Sequence, residues 1–347
     1  MENRTPVKKN VAICFTVIFL LGRILSGIID VIVMSRFEGF YENATDSAIV
    51  SYYSSALMSV GSFIINIITI AAIIIAGKKL TGSKIGTIRF LGSYYLGAAV
   101  GTLFSSLVSN VFQYLSIYFI SPTTGSTIIT VSSFLSLVPA ILAAYMAFTA
   151  LEGTNERIPS HPLNVSLSKI RITFIITFII SAVVSSVVSS VPGYLRAFIN
   201  PDPYTFASNT LIFSGYLAKW ITNVIAFAVV YIAGYRMAKS HYGAISFYIP
   251  ASALSVPVTN IIGNISSIIV SFLRYSNQLE IVEAAKNDGV PAMLVGNTTA
   301  MTVIATAATL ISAVAGFVIS FMALSLFYTN KTDDTPLSSE EDTENDE

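Results

Sequence analysis

Three charged side chains stand inside apolar runs of this 347-residue sequence: Arg23, Asp30 and Lys219. A Lys or Arg near the centre of a membrane helix costs about 2.5 to 3.5 kcal/mol, so such a residue marks a site or an ion pair. At 1.5 Å per residue, Arg23 lies about 18 Å beyond Val11 and Lys219 about 12 Å beyond Leu211. Counted from opposite ends of their helices, the two cations fall at similar depth. Asp30 follows Arg23 by seven residues, so it shares that face two turns further out. This grouping predicts a polar site in the outer half of the membrane for an anion or a carboxylate-bearing solute. The competing expectation is snorkelling, in which Lys219 and Asp30 reach the headgroups and Trp220 is an interfacial anchor.

Asparagines supply the neutral partners. Asn66 and Asn223 each fall mid-span, where an amide either lines a pathway or joins helices at about 0.6 kcal/mol. Asn260 and Asn264 lie one turn apart in a segment that also holds Pro250, Pro257 and Gly263. Proline removes a backbone donor and frees a carbonyl, and interrupted helices are where transporters build solute sites. The candidate solute-binding set is therefore Arg23, Asp30, Asn66, Lys219, Asn223, Asn260 and Asn264.

Other chemistries lack their residues. The only histidines, His161 and His241, stand in polar loops without an HExxH pattern, and Cys14 is the single cysteine. Metal, disulfide and thiolate-cluster chemistry have no ligand set, so neither metal nor cofactor is expected. There is no GxxxxGK[ST] and no GxSxG, and no second intramembrane carboxylate accompanies Asp30. The expectation is a protein that is not an enzyme. A lone carboxylate near the surface also favours facilitated or anion-selective permeation over proton coupling.

The elements that position these residues follow from composition. Hydrophobic residues make up 54% and charged residues 11%, against about 25% charged in ordinary globular domains. Runs above 18 apolar residues recur, each able to cross roughly 30 Å of hydrocarbon. The fold class is an all-α polytopic membrane protein. Eight spans are expected, at 11–34, 51–76, 90–120, 128–151, 172–191, 211–233, 245–273 and 293–328. With that assignment, thirteen Lys and Arg residues fall on one side and four on the other. The positive-inside rule then puts both termini in the cytoplasm of a cell-membrane protein.

The segment 63–90 recurs 157 places later at 220–247. Eleven of these 28 positions are identical, Asn66 with Asn223 and Ala76-Gly77 with Ala233-Gly234 among them, where roughly three would match by chance; internal duplication is the pattern that most changes a fold assignment. Four spans per repeat is an even number, so the repeats are parallel, related by an axis along the membrane normal. The expected organisation is a first four-helix repeat at 1–151, a linker at 152–168 and a second repeat at 169–329. An acidic tail follows at 330–347. From Lys331 this tail holds one Lys and eight acids, leaving 18 basic and 11 acidic residues before it. Such a tail is expected to be disordered. Gly97 and Gly101 form a GxxxG, and Ser181, Ser185 and Ser189 a small-residue face, both expected to pack helices.

Together these readings give a permeation or transport protein for a small solute, anions included, with its site between the two repeats. The alternative is a non-catalytic scaffold, an assembly or lipid-organising factor, or a sensor acting through its acidic tail. The lipid bilayer is the expected partner, with a small solute or a protein docking on the tail as further ones, and no nucleic acid.

Overall fold

The computed structural model describes residues 5–37, 44–118, 131–152, 167–199, 206–238, 253–288 and 298–333. Within them lie α1 (Thr5–Phe37), α2 (Ala44–Thr81), α3 (Lys84–Tyr118) and α4 (Leu137–Glu152), then α5 (Leu167–Ile199), α6 (Phe206–Ala238), α7 (Ser255–Asp288) and α8 (Thr298–Asp333). Among the described residues the protein is all-helical. Six described spans are long and apolar enough to cross a bilayer: those of α1, α2, α3, α7 and α8, and that of α4 taken together with the helical residues 131–135 before it. In α5 and α6 the qualifying apolar stretches are shorter, at Arg171–Ile180 and Trp220–Arg236.

Burial is inverted relative to a water-soluble protein. Val31, Ile75 and Leu310 are 68%, 64% and 63% exposed, while the hydroxyls of Ser93, Ser136 and Ser320 belong to residues no more than 1% exposed. In water, exposed aliphatic surface on this scale would drive aggregation. In hydrocarbon it is the solvated face, and small polar side chains turn inward, Ser136 with hydrogen-bond partners and Ser93 and Ser320 without any among the described residues. The chain is an integral, multi-pass membrane protein.

Helices α1 to α4 close on themselves: α1 packs on α2, α2 on α3, α3 on α4, and α4 returns to α1. Their core is aromatic. Phe15 of α1 stacks on Phe90 of α3 with centroids 4.4 Å apart, and Phe148 of α4 meets Phe90 edge-on at 5.4 Å. The GxxxG lets α3 approach α4 closely. A Cβ on Gly97 would come within 2.7 Å of the Ala144 Cβ, and one on Gly101 within 2.8 Å of the Ala140 Cβ. Of the remaining helices, α5 packs on α6, α7 on α8, and α8 on α5. The two sets meet through α2 against α7 and α3 against α6.

The α2–α3 connection shows local sequence at work. Gly82 takes φ +65, the left-handed conformation that ends helices at low cost only for glycine, and its amide donates to the Lys78 carbonyl at 3.0 Å. Ser83 then caps α3, its hydroxyl accepting the Gly86 amide at 2.9 Å.

Several expected boundaries shift. Ala253 is helical, Leu254 is a turn and α7 begins at Ser255, so the helical run is interrupted three residues before Pro257, which occupies the first turn of α7. Pro250 lies outside the described residues. Helix α8 runs on to Asp333, past the expected start of the tail at Asn330. The linker at 153–166, the tail beyond Asp333 and the side chains of Ser181, Ser185 and Ser189 lie outside the described residues.

Candidate functional site

On α1, Phe15, Phe19 and Arg23 recur every four residues and therefore share one face. The first two fix that face against α3: Phe15 stacks on Phe90, and Phe19 on Tyr94 at 4.3 Å. Arg23, one turn on, is thereby carried over the aromatic core into a cavity of about 940 Å³. Its Nη2 donates to the Ser136 hydroxyl at 3.3 Å. Among the described lining residues Arg23 is the only charged side chain.

The partner of Arg23 is presented by a break in a helix. Residues 131–135 are helical, Ser136 is not, and α4 resumes at Leu137. Pro139 explains the break, because it cannot donate to the Leu135 carbonyl and its ring crowds that carbonyl. The Ser136 hydroxyl donates to the Ser133 carbonyl at 2.7 Å and accepts from Arg23 with its remaining capacity. The interruption expected near Pro257 is present at Leu254, and a second one, not expected, lies at Ser136 before Pro139. A proline within an apolar run, three residues after a serine, is the signal in the sequence that marks it.

Four of the seven candidates line this one cavity: Arg23 from α1, Asn66 from α2, Asn223 from α6 and Asn260 from α7. Asn66 is half-buried; Asn223 and Asn260 are exposed. Serine and threonine add hydroxyls at Ser26, Ser62, Thr69 and Thr102. Residues from α1 through α7 contribute, so the cavity sits where the two helix sets meet. Tyr94, Tyr95, Phe174, Phe178 and Phe227 make much of the remaining wall.

The other candidates are placed differently. Asp30 is exposed and lies outside the cavity lining, two turns beyond Arg23. Asn264, one turn past Asn260, is not a lining residue, and its amide nitrogen is buried without a hydrogen-bond partner. The Lys219 side chain lies outside the described residues. Trp220 makes a contact that the sequence reading did not anticipate. It is partly buried, and its indole Nε1 donates to the Leu103 carbonyl of α3 at 2.9 Å, tying α6 to α3.

An amphiphilic cavity with one cation among the described residues, hydroxyls, amides and aromatic walls can hold an anion and hydrogen-bond a solute. The class defined by fold and site is a multi-pass α-helical membrane protein enclosing such a cavity. No protein-family model matches this chain, and neither the curated proteins nor the solved structures give a significant match.

Proposed function

We propose that the protein carries a small solute, anions included, across the cell membrane through a site between two parallel four-helix repeats, without catalysing a reaction. The observation that carries this reading is the convergence of Arg23, Asn66, Asn223 and Asn260 on one cavity. Mid-membrane amides that only joined helices would be packed dry, whereas Asn223 is exposed and lines the same cavity as Arg23.

Duplication gains support from the same cavity. Five pairs of lining residues are related by the 157-residue shift: Asn66 with Asn223, Leu96 with Ala253, Ala98 with Ser255, Ala99 with Val256, and Leu103 with Asn260. A cavity on the axis between repeats is lined in this paired way. Eight spans are the reading that fits two four-helix repeats. The exposed aliphatics of α5 run from Ile172 through Ile179 to Val191, about 29 Å of helix and close to the hydrocarbon thickness. Both termini then lie in the cytoplasm, as the charge asymmetry expects.

Thiol accessibility tests the reading. In a Cys14→Ser background, single cysteines replace Asn66, Asn223 and, as a lipid-facing control, Ile179, which is 56% exposed on α5. A small membrane-impermeant thiol reagent applied to intact cells labels the first two and spares the third. Silence at Asn66 and Asn223 in folded protein overturns transport and leaves a scaffold acting through the acidic tail.

A further inference from the structure

The cavity is charged at one end and, among the described residues, uncharged and largely apolar at the other, and α3 serves as a ruler between them. Gly101 lies against the backbone of Ser136, the partner of Arg23. Phe174 belongs instead to a cluster with Ile88, Leu91 and Val230. From Leu91 to Gly101 the helix rises about 15 Å. The charged end combines Arg23 and Ser136 with Ser26 and Thr102. The opposite end combines Phe174 and Phe227 with Val230 and Ala253, and holds no charged residue among those described.

Resting on the transport reading, we propose that the solute is an amphipathic anion. Its carboxylate or phosphate is held by Arg23, and its alkyl or aromatic body runs toward Phe174 and Phe227. A small hydrated anion alone would leave the aromatic end unmatched. A neutral apolar molecule would leave the Arg23 guanidinium, which is exposed to the cavity, with Ser136 as its one described hydrogen-bond partner and would displace water without matching the charge. A cavity of about 940 Å³ lies at the upper end of the range for small-molecule pockets, with room for both parts of such a molecule. Phe227 projects one turn from Asn223 on α6, so the same helix offers an amide to the polar end and a ring to the apolar end.

The test uses the full chain in nanodiscs of zwitterionic phosphatidylcholine and reads saturable binding of radiolabelled decanoate above empty discs. Decan-1-ol supplies the body without charge, and acetate the charge without body; both compete at least tenfold more weakly than unlabelled decanoate. Arg23→Gln weakens decanoate binding by about tenfold or more, and Arg23→Lys recovers part of it. Phe227→Ala weakens decanoate and leaves acetate competition unchanged. Thermal unfolding confirms that each variant is folded. Discs containing phosphatidylglycerol separate the two sources of this chemistry. Loss of decanoate binding there assigns the site to an anionic lipid, and undiminished binding assigns it to a soluble carboxylate.

Acetate competing as well as decanoate overturns the proposal, as does Arg23→Gln binding like the parent or an absence of saturable binding in folded protein. Thiol labelling at Asn66 and Asn223 requires no amphiphile. Labelling without decanoate binding removes the solute class alone, and silence in both removes transport as well.

Discussion

Arg23 and Asp30 lie on the same face of α1, yet only Arg23 lines the cavity. That contrast yields a paired prediction. A hydrogen bond to a charged group contributes about 1.5 to 3 kcal/mol, so Arg23→Gln lowers affinity for an anionic solute by on the order of tenfold to a hundredfold. Asp30→Asn leaves affinity unchanged. Solute uptake into proteoliposomes, measured against concentration, checks both. The site was legible in the sequence where a residue's type was anomalous for its surroundings: a mid-span cation and a repeated mid-span asparagine found Arg23, Asn66 and Asn223. Ser136 was not legible by type, because serines are common in these helices. Its role arises from the break that Pro139 makes and from the approach of α1, neither of which a residue-by-residue reading weighs. Asn264 shares a helical face with Asn260 in the sequence, but the cavity ends before reaching it.

At the level of helices, hydropathy located the apolar segments and misjudged their ends. Helix α7 continues to Asp288, fifteen residues beyond the expected limit, and α2 begins at Ala44 rather than 51. Apolar windows report the stretch in hydrocarbon, while backbone hydrogen bonding carries a helix onward into polar sequence. Packing supplies two predictions for single helix positions. Gly97→Leu forces α3 away from Ala140 and Ala144 and costs about 1 to 3 kcal/mol of stability. At Gly27 an added Cβ would meet nothing within 4 Å, so Gly27→Leu is accepted without loss. Thermal unfolding of the two variants in the same detergent compares them directly. Pro139→Ala restores a donor for the Leu135 carbonyl and straightens the chain through Ser136. Its unfolding temperature stays level or rises while solute affinity falls, a separation of stability from function that the same two assays read out.

Across the whole molecule, exchanging the first four helices for the last four maps most of the main packing pairs onto one another. The α1–α2 pair corresponds to α5–α6, α3–α4 to α7–α8, α1–α4 to α5–α8, and the contact of α2 with α7 to that of α3 with α6. The α2–α3 contact has no counterpart of comparable extent between α6 and α7 among the described residues. If transport proceeds by one half rocking against the other, motion must occur at the α2–α7 and α3–α6 seams, which flank the cavity. One seam offers a place to arrest it. The hydroxyl oxygens of Ser55 on α2 and Ser271 on α7 are 3.5 Å apart, and Tyr53 and Tyr275 meet beside them with ring centroids at 5.1 Å. Cysteines at 55 and 271, with Cys14 replaced by Ser, are close enough to join under mild oxidation. After proteolytic cleavage in the 153–166 linker, the two halves remain together on a non-reducing gel and separate when reduced. Oxidation stops uptake, reduction restores it, and equilibrium binding of the anion survives throughout, because the seam lies apart from Arg23. Uptake at full rate in fully cross-linked protein excludes rocking at this seam and makes the cavity part of a pathway through a fixed scaffold.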